Sequence, residues 1–582
     1  MYSGMTDVAA LTGNQAYLQA VKTIWEDVVG KKIYITGGVG SIPRSESFGP
    51  EYYLPNDSAY CETCASIANV YWNWRLFLLS GQSRYIDVME QSLYNAVLSG
   101  VSMSGETFFY PNVLETRGAA RSEWFGCSCC PSNVSRFLAS MPGYIYAVKG
   151  DCVYINLYVD SVITAKDVLI NGKSAEAKLK VETRYPWDGA VKITALTSGE
   201  YELKLRCPSW VNATGLPSSQ PLYQRVNEPN PKLQIPLNFN GKQILPDSNG
   251  YWTIRHNWTV GDSFELNLPM DIALIKADDK VEADRGRVAI QRGPILYCLE
   301  QQDCINELTE KPVQSLKALR IKYSQDENGQ LNLNMKTEFI SDLMAGTYKT
   351  ENLHNLSALN ELKEEVSNFW TEKHGMVIIS GQAEEYRKIQ GSDQLQTVPV
   401  SFKAIPYYAW CHRGRQPMSV WIADTDAAVS PLAPQGIAAD AKVSVSFVNE
   451  KVDGSPQYLN DGVAPGGKLN FQQCTRWHWW SKDTLGTAQW AQYDFAKPVK
   501  VGKVSVFWFD DTGIGQCRVP QSWKLLYKDA NEWKEVPQPS GYETKIGAPS
   551  VTTFTPVETT GLKIELQSQP GFAGGIYEWS VE

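Results

Sequence analysis

The spacing of apolar residues changes near residue 148, and this change divides the 582 residues into a helical part and a longer strand-rich part. Before that point, apolar side chains recur every three or four residues, which is the period of an amphipathic helix. After it, apolar and polar side chains alternate, which is the period of a strand. The chain is therefore predicted to be a multidomain α + β protein whose helices and strands are segregated.

Four helices are predicted in the first part, over residues 14–29, 62–79, 84–98 and 132–147. Glycines fall at or just beyond the ends of the first three, as is common at helix C-termini. Pro131 suits the first turn of the fourth. A glycine-rich loop from Thr36 to Ser41 separates the first two helices, and such loops often carry functional sites.

The strand-rich part is bounded by turns of Gly, Asn, Asp and Pro. Strands are predicted over residues 153–159, 191–196, 201–205, 287–297 and 420–422. This length of alternating sequence suits two β-sandwiches in succession, and a last all-β module follows a Pro/Ala-rich linker. The predicted domains are therefore 1–148, 149–285, 286–424, a linker at 425–442, and 443–582.

Charge and hydropathy exclude several classes of partner. The chain has 63 acidic and 54 basic residues, a net charge of −9, whereas nucleic acids and anionic membranes attract concentrated positive charge. No apolar run approaches the roughly 20 residues of a transmembrane helix. We therefore expect neither nucleic acid nor a membrane as a partner.

Five of the twelve cysteines lie in two short clusters, Cys61-Glu62-Thr63-Cys64 and Cys127-Ser128-Cys129-Cys130. Thiolates and a carboxylate can converge on one zinc ion, so Glu62, Cys64, Cys129 and Cys130 would form a tetrahedral site. From residue types alone, two other interpretations stay open. The cysteines could be buried packing residues, or the zinc could be structural with no catalytic thiolate.

Four ordered motifs surround these clusters. They are Gly37-Gly38-Val39-Gly40-Ser41, Glu46-Ser47-Phe48, the stretch LPNDSAYCETCA at 54–65 and the stretch WFGCSCCP at 124–131. Together they resemble glycoside hydrolase family 127, the cysteine-dependent β-L-arabinofuranosidases of bacteria, over roughly residues 1 to 422. The resemblance implies that residues 1–148 are the C-terminal half of an (α/α)6 toroid, followed by two β-sandwich domains.

The resemblance also implies roles for individual residues. Cys129 matches the nucleophile and Glu46 the general acid/base. The zinc ligands are matched by Glu62, Cys64, Cys129 and Cys130, whereas Glu90 and Tyr110 match residues that contact the sugar. Outside the family, Glu46 would be an ordinary carboxylate at the start of a helix, Glu90 part of a solvated helix face, and Tyr110 a core aromatic. Cys127 matches a further family cysteine without an assigned role.

The implied reaction is retaining hydrolysis of β-L-arabinofuranosides of plant glycans. The Cys129 thiolate attacks the anomeric carbon while Glu46 protonates the departing oxygen, and Glu46 then activates water. One alternative is a related glycosidase that cleaves another furanosidic sugar of pectin. Another is a non-catalytic carbohydrate-binding protein with a structural zinc.

The histidines depart from the family pattern. Family members have further helices ahead of the position that matches Met1, and these complete the toroid and supply sugar-binding histidines. All five histidines here, at 256, 354, 374, 412 and 478, lie outside residues 1–148. We therefore expect this chain to be an N-terminally truncated fragment, or a sequence with a misplaced start, that lacks about half of the barrel, which puts activity of the chain alone in doubt.

The last module carries its own motifs, at 459–462, 490–495, 520–527 with Trp533, and 576–581. They resemble the discoidin-like (factor 5/8 type C) β jelly roll, which implies a carbohydrate-binding role. The run Arg476-Trp477-His478-Trp479-Trp480 would be a stacking platform for sugar, or its indoles would fill the core. A glycan-binding module favours a periplasmic or extracellular location in a bacterium, although no signal peptide is present at Met1.

Overall fold

The computed structural model describes residues 1–212, 216–226, 235–326, 331–340, 375–389, 394–432, 436–439, 441–448, 456–460, 476–513 and 515–582. Several features of the sequence lie outside these residues: Asp461 and Gly462 of the last module's motifs, Cys474, His354 and His374. Within the described residues, the α-helices lie before residue 141 and strands prevail from residue 146 onward, as the change of apolar period predicts.

Five α-helices form the first part: α1 (Tyr2–Thr12), α2 (Gln15–Lys31), α3 (Thr63–Ser80), α4 (Ser83–Gln91) and α5 (Cys129–Ser140). The Asn14 side chain caps α2, since its oxygen accepts hydrogen bonds from the Ala16 and Tyr17 amides at 2.9 and 3.2 Å. Gly81 ends α3 with a φ of 68°, which favours glycine. A π-helical turn, Ser92–Val97, continues α4. The four predicted helices are therefore confirmed in place, though not in every boundary.

The fourth predicted helix is wrong at both ends. Instead of spanning 132–147, α5 begins at Cys129 and ends at Ser140, and a 3-10 turn over Met141–Tyr144 follows it. Pro142 ends the α-helix because it has no amide hydrogen and its ring clashes with the carbonyl four residues earlier. The earlier start puts Cys129 and Cys130 in the first helical turn.

Two four-stranded sheets follow the helices and share one hydrophobic core, in which Leu203 and Trp252 of the first sheet lie with Leu179 and Ile193 of the second. The first sheet contains Tyr146–Lys149, Cys152–Ile155, Gly199–Arg206 and Tyr251–Trp258. The second contains Ser161–Ile170, Lys173–Thr183, Ala190–Ala195 and Ser263–Asn267. The predicted strands at 191–196 and 201–205 are confirmed.

A twelve-stranded sheet comes next along the chain. Its strands are Glu115–Thr116, Tyr223–Arg225, Ile272–Ala277, Arg287–Arg292, Ile295–Asn306, Lys311–Pro312, Leu319–Ile321, Lys336–Ile340, Met376–Lys388, Leu395–Pro406, Met418–Ser419 and Trp421–Ala423. The strand signal predicted at 287–297 is two strands, because Gly293 and Pro294 form a turn within it. The sheet also takes one strand from the helical part, so the parts of the chain interlock.

Side chains alternate between the two faces of this sheet, so each face packs against a different core. Ala273 and Ile275 belong to the core formed with the helices, whereas Leu274 between them belongs to the sheet's other core. The helical core contains Trp25, Ile67 and Met89. One face of the sheet therefore supports the helices. Two smaller hairpins lie elsewhere: Leu237–Phe239 with Lys242–Ile244, and Ser324–Gln325 with Leu331–Asn332.

The last module is built on a seven-stranded sheet of Lys442–Val445, Trp477–His478, Ala488–Phe509, Ser522–Asp529, Glu532–Glu535, Ser550–Gln567 and Gly575–Val581. Trp477 and Trp479 are fully buried in its core, so these two indoles do not form a stacking platform. Trp480 is 37% exposed. In the described part of the chain, no helix has both the length and the apolarity needed to cross a bilayer.

Candidate metal and active site

Two helix N-termini meet at the thiol cluster. Glu62 immediately precedes α3 and Cys64 lies in its first turn, while Cys129 and Cys130 open α5. The chain between these helices is tied back to α3, because the Thr63 amide donates to the Tyr110 carbonyl at 3.1 Å. Helix N-termini carry positive partial charge, so both helices favour anionic thiolates and carboxylates at this point.

The four predicted metal ligands lie together. One ligand atom from each of Glu62, Cys64, Cys129 and Cys130 lies within 4.8 Å of all the others. The Sγ atoms of Cys129 and Cys130 are 3.8 Å apart, and they lie 3.5 and 3.6 Å from Oε1 of Glu62. Residues separated by more than 60 positions thus form one cluster.

These distances match a tetrahedral metal ion. Ligand distances of about 2.3 Å for sulfur and about 2.1 Å for oxygen place two sulfurs about 3.8 Å apart and a sulfur and an oxygen about 3.6 Å apart. The Cys129–Cys130 and cysteine–Glu62 separations agree with both values. The donor set therefore fits a thiophilic metal ion in both chemistry and geometry.

The three thiols of the metal-free cluster differ in acidity. A hydrogen bond with Cys130 lowers the pKa of Cys64 to about 7, and the same contact, together with burial, raises the pKa of Cys130 strongly. Burial raises the pKa of Cys129 to about 11. Without a cation, the first negative charge therefore forms on Cys64, and Cys129 stays protonated at neutral pH.

Tyr110 lies directly against the predicted nucleophile. Its Oη is 3.1 Å from Sγ of Cys129, and this hydrogen bond is the largest cause of the raised pKa of Tyr110. A hydroxyl at this position can donate to a thiolate. The structure thus brings Tyr110 to the cluster, with its ring 5.5 Å from that of Phe125.

Glu46 is connected to the cluster by Tyr60, which the sequence motifs did not single out. Glu46 lies on an exposed turn with a φ of 49°. Burial and interactions with Glu62 and Glu46 raise the pKa of the Tyr60 hydroxyl, and the Tyr60 ring centroid is 6.2 Å from that of Tyr110. Tyr60 therefore lies between the acid/base candidate and the residue that contacts Cys129. The only sequence feature that could have identified Tyr60 is its position within the motif at 54–65.

Glu90 is not brought to the thiol cluster. It is 1% exposed and forms an ion pair with Arg206. Its carboxylate also accepts hydrogen bonds from Tyr185 Oη at 2.7 Å and Trp210 Nε1 at 3.3 Å. These partners come from the strand-rich part after residue 148, so Glu90 joins two parts of the chain. Its solvated-face alternative is wrong, and its predicted contact with sugar stays a prediction.

Asn112 is a second residue that the sequence analysis missed. It is fully buried, and its Nδ2 donates to the Cys61 carbonyl and to Thr63 Oγ1, both at 2.9 Å. These bonds hold the residues on both sides of Glu62, through the Cys61 carbonyl and the Thr63 side chain. Asn112 follows Pro111 in a loop and gives no periodic signal, so only the tertiary contact identifies its role.

Three family models match successive stretches of the chain. They are the beta-L-arabinofuranosidase GH127 catalytic domain at residues 2–143, the GH127 middle domain at 152–270, and the glycoside hydrolase family 127 C-terminal domain at 272–423. All four cluster residues lie within the first match.

Relatives of known sequence or structure agree with these matches. A non-reducing end beta-L-arabinofuranosidase of Bifidobacterium longum subsp. longum is 27% identical over 435 residues, which cover 71% of this chain and 56% of the relative. A solved GH127 beta-arabinofuranosidase is 39% identical with a TM-score of 0.62, over 75% of this chain and 60% of that one. A GH127 beta-L-arabinofuranosidase from Geobacillus stearothermophilus T6 is 35% identical with a TM-score of 0.57, over 72% and 59%. The chain thus spans less than two thirds of the length of each relative.

Proposed function

Because the chain belongs to glycoside hydrolase family 127, we propose that it is a retaining exo-glycosidase that hydrolyses β-L-arabinofuranosides of plant glycans. The observation that carries the proposal is the cluster of one carboxylate and three thiols, with Cys129 in contact with Tyr110. Within this proposal, α1 to α5 are part of an (α/α)6 toroid and the two following regions are β-sandwich domains.

Zinc is the metal that we propose for this site, held by Glu62, Cys64, Cys129 and Cys130. A bound zinc ion would keep the coordinating thiols deprotonated at neutral pH. The convergent N-termini of α3 and α5 favour the same anionic state.

Cys129 and Glu46 are the proposed catalytic pair. A bond forms between Sγ of Cys129 and the anomeric carbon, while the glycosidic C–O bond breaks and Glu46 gives its proton to the leaving oxygen. In the second step Glu46 accepts a proton from water, the water oxygen bonds to the anomeric carbon, and the C–S bond breaks. Two inversions restore the anomeric configuration. Tyr110 stabilises the Cys129 thiolate before the first step and after the second.

The test is hydrolysis of an aryl β-L-arabinofuranoside by a chain extended upstream, with the product anomer followed by NMR. We expect the β-anomer to form first and Cys129→Ser to abolish turnover, with Cys127→Ser as the matched control because Cys127 lies outside the cluster. Full activity of Cys129→Ser would overturn the mechanism. Preference for another furanoside would assign the related-glycosidase alternative, and bound zinc without turnover of any furanoside would assign the non-catalytic one.

Residues 443–582 are proposed to form a discoidin-like carbohydrate-binding module, and with it we propose a periplasmic or extracellular location in a bacterium. Support comes from Trp480, which is exposed and donates through Nε1 to Gln516 Oε1 at 3.3 Å. A partly exposed indole held by a hydrogen bond is a suitable surface for stacking on a sugar ring. The binding role is tested by probing plant glycan arrays with the chain and with Trp480→Ala. If the role is correct, the chain binds and the variant loses the signal.

A further inference from the structure

A cavity of about 490 Å³ lies where the helical part, the twelve-stranded sheet and the last module meet. Its walls come from residues 115–117, 301–302, 311–317, 413 and 415–419, with Ala439 from the linker and Tyr458 and Asn460 from the last module. None of the four cluster residues lines it. It is therefore a second concave site, separate from the thiol cluster.

The walls of the cavity are basic although the chain is acidic overall. The lining contains five cationic side chains and one acidic one, Glu115. The cations are Arg117, Lys311, Lys317, Arg413 and Arg415. A net charge of −9 repels anions from most of the surface, so positive charge gathered in one cavity selects for an anionic ligand there.

Two of these cations already have partners. Lys317 pairs with Glu115, and Arg413 pairs with Asp303 and with Glu300, whose Oε2 lies 2.5 Å from Nη2. These pairs brace the wall of the cavity. Arg117 and Lys311 are lining cations that these pairs do not involve.

Arg117 and Lys311 form no ion pair with any residue in the described ranges. Nη1 of Arg117 is shielded from solvent and has no hydrogen-bond partner there. A guanidinium nitrogen in that state is destabilising until an acceptor reaches it. A carboxylate suits it, because the planar guanidinium matches two carboxylate oxygens at once.

We propose that this cavity binds a carboxylate-bearing sugar, a uronic acid unit of an acidic oligosaccharide, through Arg117 and Lys311. The volume lies within the range of small-molecule sites, about 300–1,000 Å³. Amide side chains such as Gln314 and the phenol of Tyr458 also line it, and these groups can pair with sugar hydroxyls. That the anion is carried by a sugar rests on the proposed function.

The cavity is joined to the thiol cluster through the backbone. The loop that runs from Tyr110 to Cys129 contributes Glu115, Thr116 and Arg117 to the cavity wall. The strand Glu115–Thr116 in this loop pairs with Met418–Ser419, which also line the cavity. A ligand held here would therefore contact the same loop that carries Tyr110 and leads into Cys129.

Calorimetric titration of the full chain tests the proposal, with digalacturonic acid as the probe and the neutral disaccharide galactobiose as its matched control. We expect digalacturonic acid to bind at least about 10-fold more tightly than galactobiose, since charge-assisted hydrogen bonds are the stronger ones. Arg117→Gln and Lys311→Gln should each weaken binding about 10-fold. Arg285→Gln, which changes a 56% exposed arginine outside the cavity, should leave the affinity unchanged.

Other outcomes overturn the proposal. Equal binding of the two disaccharides would show that the ligand need not be an anion. Wild-type affinity in both Arg117→Gln and Lys311→Gln would show that the ligand does not bind in this cavity. Inorganic phosphate that displaces digalacturonic acid with equal affinity would make the cavity a general oxyanion site. Cys129→Ala should bind digalacturonic acid normally, so failure of the proposed hydrolysis and failure of this site are distinguishable. Loss of binding in Cys129→Ala would instead place the ligand at the thiol cluster.

Discussion

Nη1 of Arg206 lies 2.6 Å from Oδ1 of Asp87, in a place where the guanidinium is fully buried and the carboxylate side chain is 5% exposed. Asp87 belongs to α4 and Arg206 to the strand Gly199–Arg206, so the pair crosses between the helices and the first sheet. Nε of Arg206 donates to the Asn156 carbonyl at 2.6 Å, and Nη2 pairs with Glu90. These charges can be buried because each of them has a partner of opposite charge.

Arg206→Met is expected to lower the free energy of unfolding by about 3–5 kcal/mol, because it leaves two buried carboxylates without a cation. Arg255→Met is the matched control on the neighbouring strand, since Arg255 is 50% exposed and its ion pair with Asp151 is screened by solvent, so this variant should change stability much less. Urea unfolding measures both, and Arg206→Lys serves if Arg206→Met does not fold. Equal losses in the Arg206 and Arg255 variants would contradict the role of the buried pair.

Asp284 should make stability depend on pH. Burial raises its pKa to about 7 from 3.8, against the hydrogen bond from Asn56 and the charge of Arg287, with Glu115 adding to the rise. Between these two values the folded state holds a proton that the unfolded state releases, so stability falls as pH rises from about 4 to about 7. Asp284→Asn removes this dependence and should be more stable than the wild type at pH 8, by on the order of 4 kcal/mol.

Urea unfolding of the wild type and Asp284→Asn at pH 5 and pH 8 measures the difference. Asp279→Asn, at an exposed carboxylate nearby, should keep the wild-type dependence. A stability difference between wild type and Asp284→Asn that is the same at both pH values would show that Asp284 does not titrate in this window.

Cys64→Ala should remove most of the bound metal. The chain is expected to hold about one zinc ion, and loss of one of four ligands should weaken zinc binding by at least about 10-fold. Cys127→Ser is the control, because Cys127 is exposed and lies outside the group of ligand atoms. Elemental analysis and competition with a chelator measure the effect. Unchanged zinc content in Cys64→Ala would exclude the four-ligand site.

Tyr110→Phe should lower kcat about 10-fold or more while leaving zinc content unchanged. The variant removes the hydroxyl that lies 3.1 Å from Sγ of Cys129 and that would donate to the sulfur as the C–S bond breaks in the second step. A charge-assisted hydrogen bond of this kind stabilises the developing thiolate by about 1.5–3 kcal/mol. Tyr146→Phe is the control, since its hydroxyl pairs with Ser161 at 2.6 Å instead. The measurement is turnover by the upstream-extended chain. A loss of zinc together with activity would mean that Tyr110 supports the ligands rather than the reacting sulfur.

The two adjacent indoles Trp479 and Trp480 should respond in opposite ways. Trp479 is fully buried and donates to Ser568 Oγ at 3.0 Å, so Trp479→Ala should cost about 3–5 kcal/mol. Trp480→Ala should change stability by less than about 1 kcal/mol, because it removes a partly exposed side chain. Thermal unfolding separates the two. Similar losses in both variants would mean that Trp480 is also a packing residue.

Several elements could be predicted because their signals are local. The caps and apolar spacing of α2 and α3 located both helices to within two residues, and alternation located the strands near 191–196 and 201–205. The end of α5 was missed although its signal, Pro142, was present, because the apolar spacing continues past it into the strand that begins at Tyr146. Periodicity alone does not distinguish a helix from a following strand over so few residues.

The amino-acid sequence by itself determined the order of helical and strand-rich parts, the family, and which four residues would lie together as one group of possible metal ligands. These depend on period and on residue type in ordered motifs. Only the tertiary structure decided the rest. Glu90 pairs with Arg206, Tyr60 lies between Glu46 and Tyr110, and Arg117 and Lys311 line one cavity, since each contact joins residues far apart in the chain. The spacing of residues along the chain does not predict such contacts, because they form only when separate helices, strands and loops pack together.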